Sequence, residues 1–158
     1  MQANAVQGTL LTSPEELLAK KLGFNVLADL AQLGIPFLHS AVITREDVIK
    51  QQPDLLANFT GAVVEGIHFL KTKPRETIKI FQKYFRTNDM EALQDSYDEY
   101  VRQIGKLPYA EPKAVQTVLG ATGETLPAAL KASPEQFIDD SFLRQIERSG
   151  FLEKLYGR

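Results

Sequence analysis

Cysteine is absent from this 158-residue chain, which removes a disulfide framework, a thiolate nucleophile and any Cys-ligated metal. That absence leaves the compartment open. Histidine is scarce as well. His39 falls on a predicted strand and His68 at the border of a helical stripe. Neither has Asp or Glu at metal-ligand spacing, because Glu65, three residues before His68, makes one pair and not a site. Both histidines are expected to be structural, and no cofactor is expected. Neither charge sign is in excess, and the formal net charge of -2 argues against nucleic acid, which needs concentrated Lys and Arg. No apolar run is long enough to span a bilayer. No n-region, apolar h-region and cleavage site open the chain, so without a signal peptide it is expected to stay in the cytosol and not to insert into a membrane. Gly8 is the lone glycine of the first turn, which excludes a phosphate-cradling loop.

What is present suits a globular chain. A hydrophobic content of 44% supplies one core, and 24% charged residues make an ordinary solvated surface. The basic clusters Lys20-Lys21 and Lys71 to Arg75 are short and read as solvated faces.

The first part has a strand-helix-strand pattern. Val6 to Leu11 predicts a buried strand, Thr12-Ser13-Pro14-Glu15-Glu16 a helix start, Gly23 a helix stop, and Phe24 to Leu30 a second strand. A third strand is expected over Leu38 to Ile43. Such units want parallel neighbours, so the chain is expected to begin in the middle of a fold. The fold class is α/β, with a small, mainly parallel sheet and excess helix. Gln32 to Pro36 is the linker candidate.

Everything after Thr44 predicts helices. Pro53 opens a long one with Leu55, Leu56, Phe59, Val63, Ile67 and Leu70 as its buried stripe. Gly61 and Gly66 interrupt it at about 1 kcal/mol each, which suggests close packing on a neighbouring backbone. Pro74 opens the next helix. Asn88-Asp89 caps another, striped by Met90, Leu93, Tyr97, Tyr100, Val101 and Ile104. A short helix is expected over Glu111 to Leu119, a flexible connector over Ala121 to Pro127, and two last helical pieces start at Ser133-Pro134 and Asp139-Asp140, with Gly150 breaking the second.

Three stretches in order, Val6 to Leu30 (VQGTLLTSPEELLAKKLGFNVLADL), Phe59 to Lys71 (FTGAVVEGIHFLK) and Pro134 to Tyr156 (PEQFIDDSFLRQIERSGFLEKLY), resemble the C-terminal half of the periplasmic substrate-binding proteins of nitrate, sulfonate and taurine ABC importers, a group that includes binders of the thiamine pyrimidine precursor. The resemblance implies a helix-rich partial type II periplasmic-binding-protein fold, part of a two-lobed venus flytrap with ligand between the lobes. Residues 1–33 would be a remnant of the second lobe and 34–158 the C-terminal helical part of the first. It also implies a small-molecule ligand (sulfonate, nitrate, taurine or pyrimidine precursor), an ABC permease as partner, and a periplasmic location.

Candidate ligand-binding residues are Thr9, Thr12 and Ser13. Thr12 and Ser13 sit at a strand end and helix N-terminus, where free N–H groups and hydroxyls hold an anionic oxygen, and where either also serves as a helix cap. Thr9 points into the same crevice or packs. No catalysis is expected, because no general acid and base stand paired. A thiamine-pyrimidine synthase resembles the same family, but its cysteine-rich motif and iron-binding histidines have no counterpart here. The alternative to a solute-binding module is a non-catalytic structural domain that self-associates, with a homodimer interface in the first 30 or so residues.

Overall fold

Proline and aspartate set most helix starts. The computed structural model describes Met1, Ala3 and residues 5–157. In chain order its helices are α1 (Glu15–Lys21), α2 (Glu46–Gln51), α3 (Pro53–Thr72), α4 (Pro74–Phe85), α5 (Met90–Gln103), α6 (Pro112–Gly123), α7 (Ser141–Arg148) and α8 (Phe151–Tyr156). Short 3₁₀ turns occupy Leu30–Leu33, Pro127–Lys131 and Pro134–Phe137. Pro53, Pro74 and Pro112 each take the first helical position, where a missing N–H is harmless and φ is already set. Asp89 caps α5, its Oδ1 accepting the Ala92 N–H at 3.1 Å. Gly23, at φ +85°, follows α1, and Gly150, at φ +71°, separates α7 from α8. Both need the left-handed backbone that glycine adopts without strain.

The chain forms two units, neither of them a continuous stretch. The first comprises residues 1–28 and 69–105. In it α5 packs on α4 and α1 and buries Ala92, Leu93, Ser96 and Tyr97. Phe81 stacks beside Phe85 at 4.9 Å and meets Tyr100 edge-on at 5.7 Å. Lys21 ties α1 to the start of α5 through Asp89 at 2.6 Å and Glu91 at 2.8 Å. The second unit comprises residues 29–68 and 106–158. There α6 packs on the 3₁₀ turns at Pro127–Lys131 and Pro134–Phe137, with Val115, Leu119 and Ala129 as core and Leu38, Ala132 and Ile138 around it.

The expected sheet does not form, and this corrects the α/β assignment. Among the described residues 63% are helical and none is in a strand. The three predicted strands, at residues 6–11, 24–30 and 38–43, lie without regular structure apart from the 3₁₀ turn that begins at Leu30. An apolar segment becomes a strand only when a neighbour completes its backbone hydrogen bonds, and these three do not pair. Most of their side chains stay exposed instead, with Leu10 79%, Leu27 91% and Ile43 89% accessible.

Three smaller expectations also change. Gly123 is not in a flexible connector but is the buried last residue of α6. The buried residues of α3 are Val64 and Ile67, while Leu55 and Phe59 are exposed. Gly61 and Gly66 do not admit a close backbone, because a Cβ at either would meet nothing within 4 Å.

Candidate functional site

Ser13, Thr12 and Thr9 surround the entry to α1, in the first unit. Ser13 is buried, and its hydroxyl donates to Asp95 Oδ2 at 3.4 Å. The Thr12 carbonyl accepts the Glu16 N–H at 3.1 Å, and Thr9, which is exposed, donates to the Leu10 carbonyl at 3.4 Å. No side chain caps α1; its N-cap is Pro14. An anion placed here would meet the carboxylates of Glu15 and Glu16 in the first turn and Asp95 beyond Ser13. Like charge opposes it, and a seven-residue helix has a short dipole to set against that.

A better-formed concavity lies wholly within the second unit. Ala57, Asn58, Gly61, Ala62 and Glu65 fall on one face of α3, at the three- and four-residue steps that make helical neighbours. Phe142, Gln145 and Ile146 of α7 and Phe151 at the start of α8 face them across a cleft of about 340 Å³. The floor is made of small residues. Because the Cβ position of Gly61 is open for 4 Å, the missing side chain enlarges the cleft and serves no contact within the protein.

Local geometry fixes the far wall. Ser149 donates to the Ile146 carbonyl at 2.8 Å and accepts the Phe151 N–H at 3.2 Å, so its hydroxyl is occupied in the α7–α8 turn. Tyr109 donates to Glu147 Oε2 at 3.0 Å on the outer side of α7. Burial chiefly, and then this carboxylate, raise the Tyr109 phenol above its ordinary range. One turn beyond Glu65, His68 meets the Tyr156 ring edge-on at 4.6 Å, and the Lys106 ammonium sits 4.4 Å from the same ring's centroid. The first contact joins α8 to α3, and the second joins α8 to the loop before α6. His39 is exposed and shares a hydrogen bond with Ser40 at 3.1 Å.

The side chains left to engage a ligand in the cleft are Asn58, Glu65 and Gln145, none of which has a hydrogen-bond or ion-pair partner among the described residues. Together they supply two amide donor groups, two amide acceptors and a carboxylate beside aromatic and aliphatic walls. No Lys or Arg lines the cleft. Among the described residues no group of three His, Asp or Glu could hold a metal ion.

Sequence reasoning missed this cleft. The signal was Gly61, a helix-interior glycine that costs stability with no turn to explain it. Comparisons with protein-family models, with curated proteins and with solved structures return no match.

Proposed function

We propose that the chain is part of a non-catalytic solute-binding module of the kind that serves ABC importers in the periplasm, and that its solute is a small heteroaromatic compound held in the cleft between α3 and the α7–α8 hairpin. The observation that carries this reading is the chemistry of the cleft. Unpartnered Asn58, Glu65 and Gln145 stand beside Phe142, Ile146 and Phe151 over a floor of small residues. A volume of about 340 Å³ is at the lower end for small-molecule sites, and flat apolar walls with a few convergent polar groups are their usual lining. A ring with amino and ring-nitrogen groups matches amides and a carboxylate. A sulfonate or nitrate would face Glu65 with no Lys or Arg lining the cleft, the guanidinium groups of Arg144 and Arg148 belonging to the adjoining hollow, so within the ligand classes that the resemblance implies, the pyrimidine-precursor type fits better than the anions. Two of the three stretches that carry the resemblance, Phe59 to Lys71 and Pro134 to Tyr156, furnish most of the walls.

The test is an NMR titration of the full chain with an aminopyrimidine and, separately, with taurine and sulfate. An open cleft and a ligand of about ten heavy atoms imply weak binding, with Kd on the order of 0.1–1 mM. The aminopyrimidine should shift the amides of Asn58, Gly61, Glu65 and Gln145. Shifts confined to Leu11 to Glu16, or a response to the anions alone, would refute this placement.

A further inference from the structure

From Leu30 to Thr44 the chain contains no Lys, Arg, Asp or Glu. All of this run belongs to the second unit. One side chain, Leu38, packs on the Val115–Leu119–Ala129 core and pins the segment there. Its neighbours face solvent: Leu30, Leu33, Ile35, Phe37, Val42 and Ile43 are all more than half exposed. Scattered exposed leucines need no explanation, but a run of this kind marks an interaction surface.

We infer that residues 30–44 form a self-association surface that seats the same segment of a second copy in antiparallel orientation. Charge selects the second copy. In a two-fold interface residues near the axis lie beside their own counterparts, so charges in the middle of a self-complementary patch would repel. This run has none. It is bounded by Asp29 at one end and Arg45 at the other, and only the antiparallel arrangement brings Asp29 of each copy to Arg45 of its partner. Each now has a local contact, Asp29 with Gln32 and Arg45 with Asp47, at an exposed site where exchange is easy. The sequence placed self-association within the first 30 or so residues; the charge-free run begins where they end.

Sedimentation of the full chain between about 1 and 100 µM, checked for helicity by circular dichroism, tests the inference. A monomer–dimer equilibrium is expected. Ile43→Lys, at a position where the side chain is 89% exposed and the fold is unaffected, should weaken it at least tenfold, as should Phe37→Asp. Asp29→Arg should weaken it severalfold by placing like charges at both ends, and adding Arg45→Asp should restore it. A monomer throughout the range, whether or not it adheres to phospholipid vesicles, would overturn the inference. So would open-ended aggregation, a dimer indifferent to Ile43→Lys, or a double charge swap that weakens association further.

Discussion

Replacing Gly123 by alanine separates two effects of opposite sign. Gly123 ends α6 with its backbone outside the left-handed region, so alanine is sterically allowed there and would gain up to about 1 kcal/mol of helix propensity, less in a last turn. Against that, a Cβ would lie 2.3 Å from Leu130 Cδ2, 2.5 Å from Cγ and 3.4 Å from Cδ1. A clash with Cδ2 alone would be relieved by rotating the end of the side chain. The contact with the branch carbon requires the whole side chain to leave its rotamer, or the Pro127–Lys131 turn to retreat from α6. Overpacking of this kind costs about 1–3 kcal/mol, and the 64% exposure of Leu130 leaves room for outward escape, which favours the lower half of that range. The net expectation is a loss of about 1 kcal/mol, or about 4–8 °C in Tm if the second unit melts on its own. Urea denaturation of a double-mutant cycle decides it. Leu130→Ala removes all three clashing atoms, so in that background Gly123→Ala should become neutral or stabilising. Stabilisation by Gly123→Ala in the parent chain, or equal effects in both backgrounds, would refute the packing argument.

Thr77 is buried and its hydroxyl has no hydrogen-bond partner among the described residues, so Thr77→Val should raise the urea midpoint by the equivalent of about 1 kcal/mol. The Lys21 ammonium, followed by the Ala92 N–H, holds the Asp89 carboxyl below its ordinary range, while Asp89 and then Glu91 raise Lys21 above its own. The Asp89 contribution to stability is therefore complete above roughly pH 4 and is lost as pH falls through the lower folded value, whereas that of Lys21 is lost only as pH rises through its raised one. Asp89→Asn, which keeps an acceptor for Ala92, should flatten the acid limb of the first unit's stability profile; an unchanged limb would remove the ion pair from the account. Gly61→Ala should stabilise α3 by up to about 1 kcal/mol while weakening aminopyrimidine binding, and a parallel change of both in the same direction would argue that Gly61 does not face ligand.

The helices were legible because their determinants are local. Pro53, Pro74 and Pro112 fix φ at a first turn, Asp89 reaches a free N–H three residues ahead, and Gly150 takes a left-handed backbone. Each of these acts within one turn of chain, so a linear reading finds it. The sheet was misread because a strand is a property of pairs. Val6 to Leu11 and Leu38 to Ile43 have the composition of strands, and among the described residues nothing pairs with them. The α3 stripe was partly misplaced for a related reason. Periodicity gives a face, but which neighbour covers it decides whether Phe59 or Val64 is the buried residue. The cleft depends on the approach of α7 and α8 to α3 from some eighty residues away, so only the unexplained cost at Gly61 announced it.

The two assignments in the second unit predict different thermodynamic signatures, which follows from how thin the core is. Among the described residues of the second unit, Val64 is the one large side chain that is fully buried, so little stability comes from within and what the unit binds should matter in proportion. A ligand at ten times its Kd adds about 1.4 kcal/mol whatever the protein concentration. A second copy adds an amount that grows with protein concentration and vanishes on dilution. Melting curves recorded over a hundredfold range of protein, with and without aminopyrimidine, resolve the two. A Tm that rises with protein and rises again with ligand supports both assignments. A rise with protein alone leaves residues 30–44 as the working surface and removes the cleft, and a rise with ligand alone does the reverse.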